Sequence, residues 1–192
     1  MTRVYFVRHA QSDADWKGED RTRPLTKEGW GDTLSVTEVL RKVPIDAFYS
    51  SPYQRSVDTI RQAALDRGLP IQMEERFRER ENGKDGLVPG MIEKRWEDFD
   101  FHEPGGESLN QVQQRNLEAL MELLVKRKDQ SLVIGTHGTA LAVMLNFFDP
   151  SYQCTDFLRI MRWTPYIIRL DFDNFRVAGR EELLVVEKGL SK

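Results

Sequence analysis

The residues best suited to chemistry in this chain are two histidines and two arginines that recur at equivalent places. Arg8-His9 closes the apolar run Val4 to Val7, and Thr136-His137 closes the run Ser131 to Gly135. Arg55 follows the polar stop Ser50-Ser51 at the end of Ile45 to Tyr49. The chain has only three histidines, so two of them at the ends of candidate strands is a concentrated signal. Burying Arg8, Arg55 and His9 together is costly unless they share an anion. A phosphoryl group suits such a set. Arginine presents a planar fork of donors that matches phosphate oxygens and stays charged. A neutral imidazole can attack phosphorus if an acceptor on its other ring nitrogen fixes the tautomer. A second imidazole, if protonated, can stabilise charge on the equatorial oxygens. Helices opening after Pro52 and His137 would add their N-termini to the anion site.

Those four groups meet only if the elements behind them are ordered correctly. Val4 to Val7 reads as a buried strand, rich in β-branched and aromatic residues, and residues 10–24 read as a polar loop. Thr26 is a candidate N-cap for a helix from about Lys27 to Lys42, with Pro44 beyond its end. Ile45 to Tyr49 is a second strand; Pro52 can open a helix that stops at Gly68, and Ile71 to Met73 is a brief strand. Residues 77–105, rich in glycine and proline, form a long excursion with one helix near Ile92 to Phe99. Ser108 and Gln111 make a capping box for an amphipathic helix to about Lys128, whose apolar stripe is Leu117, Leu120, Met121 and Leu124. A third strand precedes an apolar helix, Ala140 to Phe147, and residues 165–187 read as a hairpin turning at Asp173-Asn174. Strands alternating with helices predict an α/β three-layer sandwich whose central sheet is mostly parallel and flanked by helices. In such sheets ligands bind beyond the carboxyl ends of the strands, where all three constellations fall. With no repeat and no linker, residues 1–192 read as one domain, with the stretch from about 77 to 105 as a lid or insertion.

The bulk properties limit the alternatives. A chain of 192 residues with 40% hydrophobic and 31% charged residues is long enough for a core without a staple. A net charge of −3 offers no general attraction to nucleic acid. One cysteine, Cys154, excludes an intrachain disulfide and lies in no nucleophile motif, so it reads as a passive thiol. The N-terminus is too short and too charged for a signal peptide, and no apolar run approaches a membrane span, so a cytoplasmic protein is expected.

Taken together, these stretches resemble the histidine phosphatase superfamily, also called the phosphoglycerate-mutase-like family. Val7-Arg8-His9-Ala10-Gln11-Ser12 resembles its Arg-His-Gly/Ala signature, and Ser50 to Thr59 resembles the motif of its second arginine. Gly135-Thr136-His137-Gly138 resembles the motif of the second histidine. Pro24 to Gly29, and Pro104-Gly105-Gly106-Glu107-Ser108 with Arg115, also match family landmarks in order. The resemblance implies a phosphoglycerate-mutase-like fold and a phosphomonoester hydrolase of small phosphorylated substrates, working without a metal or other cofactor. His9 would be the phosphorylated nucleophile, with Arg8, Arg55 and His137 binding the phosphoryl group. The general acid, in Phe77-Arg78-Glu79-Arg80-Glu81-Asn82-Gly83, would be Glu79, with Glu81 the competing choice. Phosphoglycerate-mutase-type transfer is the alternative, although mutases of the family have a longer insertion here. A non-catalytic phosphate or phosphopeptide module would be expected to lose His9 or the acid, and both are present.

One departure concerns charge. Where family members often carry an asparagine, seven residues after the first arginine, this chain has Asp15, which should point elsewhere or pair with Arg21 or Arg23. Trp16, Trp96, Phe99 and Phe101 could line an apolar leaving-group pocket or form the core of the lid. His102, without partners at metal-ligand spacing, reads as an exposed lid residue, with substrate contact as the alternative. Trp163 and the C-terminal hairpin could pack on the sheet or pair with a second copy.

Overall fold

In the computed structural model, which describes residues 1–189, six strands form one sheet in the order β3-β2-β4-β1-β5-β6. The strands are β1 (Thr2–Arg8), β2 (Ala47–Ser50), β3 (Ile71–Met73), β4 (Ser131–Thr136), β5 (Trp163–Asp173) and β6 (Arg176–Glu187). The first four in spatial order are parallel, while β5 and β6 add an antiparallel hairpin beside β1. The helices are α1 (Lys27–Arg41), α2 (Gln54–Asp66), α3 (Met91–Glu97), α4 (Leu109–Lys126), α5 (Gly138–Phe148) and α6 (Cys154–Ile160).

Strand alternation produces the layers. Tyr5, Val7, Phe48, Val133 and Ile167 face one side, packed with Val36 and Leu40 of α1 and Ile60 and Ala63 of α2. Val4, Phe6, Leu132, Ile134 and Ile168 face the other, where α4, α5 and α6 cover them with Leu120, Leu141 and Phe157. The expected three-layer sandwich with a mostly parallel sheet is therefore present, with β5 and β6 the antiparallel part.

Local signals place most boundaries. The Thr26 hydroxyl accepts the Gly29 N–H at the start of α1, and Ser108 and Gln111 form both halves of the capping box on α4. Asn174, at φ 54°, supports the turn between β5 and β6. Two expectations need correction. Helix α2 starts at Gln54, two residues after Pro52, because the Ser51 hydroxyl accepts the Tyr53 N–H and holds that residue extended. Helix α6 is an element the sequence reading lacks; it is short, and at its start the Asp156 carboxylate accepts the Gln153 N–H, with no serine or threonine cap to announce it. Among the described residues, no helix is long and apolar enough to cross a membrane.

Candidate active site

Sheet register assembles the site. Arg8 on β1 lies opposite Thr136 on β4, and Ser50 on β2 lies opposite Gly135. Because β1, β2 and β4 are parallel, their carboxyl ends share one edge, and His9, Ser51 and His137 are the next residues out. The imidazoles of His9 and His137 meet edge-on, with ring centroids 5.3 Å apart. Arg55, in the first turn of α2, reaches under them from the neighbouring element with its side chain 1% exposed.

The tautomer of His9 follows from its partners. The Ala10 carbonyl, 2.7 Å from Nδ1, can only accept, so Nδ1 carries the proton. Nε2 is then a lone pair, and it accepts the Arg55 Nε–H at 3.2 Å. Burial, followed by the charges of Arg55 and Arg8, holds this imidazole well below its ordinary range, so it is neutral at physiological pH. Its backbone is pinned on both sides: Thr164 donates its hydroxyl to the His9 carbonyl, and the Ala10 N–H donates to the Thr59 hydroxyl.

His137 is fully buried and is held low mainly by burial, then by Arg55, His9 and Arg8. Its Nε2 lies 2.8 Å from the Ser51 hydroxyl, while Nδ1 has no protein partner. The protonated state in which this ring could stabilise equatorial charge is thus not its resting state. The Tyr53 ring packs edge-on against it at 5.2 Å.

Arg8 is fixed from beneath. One terminal nitrogen donates to the carbonyls of Ile160, Met161 and Trp163, at 2.7, 3.0 and 2.9 Å. Burial lowers its pKa to about 10, which leaves it charged at neutral pH. Its Nε has no protein partner. Helix α5 approaches closely at Gly138, where a Cβ would lie 3.1 Å from that nitrogen and press the guanidinium aside.

Glu79 docks on the N-terminus of α5, beside His137. Its oxygens accept the N–H groups of Thr139 and Ala140, both at 3.0 Å, and of Arg80 at 2.8 Å. The backbone that carries it is clamped by Arg115, which donates to the carbonyls of Arg76, Arg78 and Glu79 and is itself held by Glu107. Glu81, by contrast, is exposed and lines an outer cleft of about 370 Å³ with Arg21, Tyr53, Arg78 and Asn82. Arg8, His9, Arg55 and His137 are thus brought together, Glu79 lies at their edge, and Glu81 stands apart from them.

Asp15 is exposed and meets neither arginine: Arg21 pairs with Glu75, and Arg23 with Asp20. A carboxylate does reach the site, however. Asp20, from the same loop, binds the terminal nitrogens of Arg55. Trp96 meets Phe99 edge-on and stacks on Phe157 beneath the excursion, as lid core. Trp16 is exposed, and Phe101 carries the Lys94 ammonium over its ring. His102 is exposed, and the half-buried Cys154 thiol is pushed up by burial. Among the described residues there is no group of three or more His, Cys, Asp or Glu side chains that could hold a metal ion. Sequence reasoning gave no role to Thr59, Ser51 and Asp20, and Thr164 had no signal at all.

Residues 4–176 match the model of the histidine phosphatase superfamily, branch 1. Phosphoserine phosphatase 1 of Hydrogenobacter thermophilus is 29% identical over 159 residues, covering 75% of this chain and 74% of its own length. A probable phosphoglycerate mutase, GpmB of Salmonella choleraesuis, is 28% identical over 168 residues, covering 76% and 74%. A mycobacterial glucosyl-3-phosphoglycerate phosphatase, solved with VO3, superposes with a TM-score of 0.76 at 20% identity over 97% of this chain and 99% of its own.

Proposed function

The chain belongs to the histidine phosphatase superfamily, and from that membership we propose that it hydrolyses phosphomonoesters through a phosphohistidine on His9, with no metal ion. The observation that carries this reading is the state of His9: a neutral ring, its Nδ1 proton given to the Ala10 carbonyl and its Nε2 lone pair set between Arg55 and His137.

Nε2 attacks phosphorus as the ester P–O bond breaks, and the departing oxygen takes a proton from Glu79. Water then attacks the phosphohistidine, Glu79 takes its proton, and inorganic phosphate leaves with His9 neutral again. Arg8, Arg55 and the free Nδ1 of His137 supply donors for the equatorial oxygens. The outer cleft, where Arg21, Arg78 and Arg80 face the carboxylates of Glu19, Asp20 and Glu81, fits a small polar leaving group rather than an apolar one. One compact domain acting in the cytoplasm completes the proposal. The second reading, mutase-type transfer, is favoured by the similarity to the probable phosphoglycerate mutase. The short excursion between β3 and α4, which holds the 3-10 turn Glu75–Phe77 and the seven-residue α3, supports hydrolysis.

The test is to quench a reaction with p-nitrophenyl phosphate in alkali and locate the phosphate by mass spectrometry. Phosphate on His9, and no phosphate release by His9→Ala, is the expected result. Retention of about a tenth of wild-type turnover in that variant would reject His9 as nucleophile. Interconversion of phosphoglycerates faster than phosphate release would move the assignment to a mutase.

A further inference from the structure

We propose that Arg23 is a third guanidinium of the phosphoryl site, and that Asp20 is an internal anion kept there until substrate displaces it. The inference rests on the phosphoryl-site reading above and adds its regulation. Arg55 gives Nη1 to the Asp20 backbone carbonyl at 2.8 Å and to Oδ1 at 3.2 Å, and Nη2 to Oδ2 at 3.2 Å. Arg23 donates to the same Oδ1. One carboxylate gripped by two guanidiniums next to a nucleophilic imidazole has the bonding of a bound oxyanion. With Asp20 in place, both terminal nitrogens of Arg55 are engaged by it, and its Nε faces His9.

Arg23 is close enough for its charge to act on both His9 and Arg55. Its Nε is buried without a partner, so it has a donor in reserve. The segment that brings Asp20 in is built to leave. Residues 14–22 are all exposed, and the 3-10 turn Asp20–Thr22 buries none of its residues. The remaining hold on that turn is polar: Arg21 pairs with Glu75 at 3.1 Å and lies 5.1 Å over the Tyr53 ring. Few apolar contacts and exposed ion pairs mark a segment that opens at low cost. The Asp20 side chain is already 47% exposed, so its release to water is cheap. A phosphoryl group, with a charge of about −1.5 to −2, outbids a single carboxylate for the two arginines.

The test is calorimetric binding of inorganic phosphate at fixed ionic strength to the wild type, Asp20→Asn, Arg23→Ala and the double variant. Asp20→Asn should bind about tenfold tighter, because a like-charged competitor is gone. Arg23→Ala should bind about tenfold weaker, and the loss should persist in the Asp20→Asn background. Asp20→Ser gives the same reading if the amide retains the contact. Unchanged or weaker binding by both Asp20 variants would make that residue a brace for Arg55 and overturn the proposal, as would wild-type affinity in Arg23→Ala. No turnover of p-nitrophenyl phosphate by the wild type would instead sink the hydrolase reading, while the order of phosphate affinities would still decide this one.

Discussion

Glu103→Gln is expected to destabilise the protein by about 3 kcal/mol and to act first on the excursion that carries Glu79. The Glu103 side chain is wholly buried between two arginines, Arg80 and Arg95, whose side chains are 3% and 7% exposed. It also accepts the Gly83 N–H at 3.0 Å, and a Cβ on Gly86 or Gly106 would collide with its carboxylate. Burial by itself pushes this carboxyl up, but the hydrogen bonds from Arg80 and Gly83 outweigh it and hold the pKa at about 2 against an ordinary 4.5. That difference corresponds to roughly 3 kcal/mol at neutral pH. The cost of leaving a buried charge unpaired, about 3–5 kcal/mol, arrives independently at the same size. In a chain of this length the melting temperature should fall by roughly 6–12 °C. The sign with pH is fixed: a depressed carboxyl gives its full stability above pH 4.5 and loses it as pH falls through 2. The gap between wild type and variant should therefore close over that interval. Urea melts between pH 2 and 7, with hydrogen exchange of residues 83–106, make the measurement. An unchanged midpoint together with unchanged exchange would show that Glu103 does not hold the excursion in place. Turnover should fall too, because the Arg80 N–H that meets Glu79 is anchored by this cluster.

Glu79→Gln should slow hydrolysis of alkyl phosphates far more than of p-nitrophenyl phosphate, whose leaving group needs no proton; equal slowing of both, read from kcat, would move the acid role to Glu81. His9 and His137 should both stay neutral at pH 6, since burial and neighbouring arginines lower them; ring-nitrogen NMR showing a titration near 6.5 would contradict this. By linkage the unfolded chain takes up protons that these rings refuse. Stability is thus complete above pH 6.5 and should erode below it by up to about 1.4 kcal/mol per histidine per pH unit, measurable as melting temperature from pH 8 to 5.

The parts of the site that were legible in the sequence are those in which chemistry and local structure share one stretch. Arg8-His9 and Thr136-His137 follow apolar runs whose length and β-branching announce buried strands, and parallel pairing then sets them side by side. The cradle of Arg8 was hidden because it consists of main-chain carbonyls 152 to 155 residues away, and a carbonyl has no residue type. Asp20 was hidden for a different reason: one more acidic residue in a polar loop carries no period or spacing. Arg115 appeared as a landmark without a role, since its three carbonyl partners lie in the backbone of residues 76–79. In α6, seven residues give too few turns for an apolar period to emerge.

The same guanidiniums that suit a phosphoryl group also prepare its proposed acceptor. Arg8 and Arg55 are both among the charges that depress His9 and His137, so in the resting protein both rings are uncharged and His9, the proposed nucleophile, is a free base. The arginines avoid mutual repulsion by borrowing negative ends from the chain: three carbonyl dipoles for Arg8 and the Asp20 carboxylate for Arg55. A phosphoryl dianion entering this arrangement reverses the field at both rings. His137, no longer facing uncompensated positive charge, gains proton affinity where negative charge gathers on the equatorial oxygens. In the proposed mechanism the basicity of His9 is consumed at that moment, because its lone pair becomes the bond to phosphorus. On this proposal one set of arginines keeps the nucleophile unprotonated before substrate arrives and allows its partner to become a donor afterwards, and the two histidines differ in role only because the anion bonds to one of them.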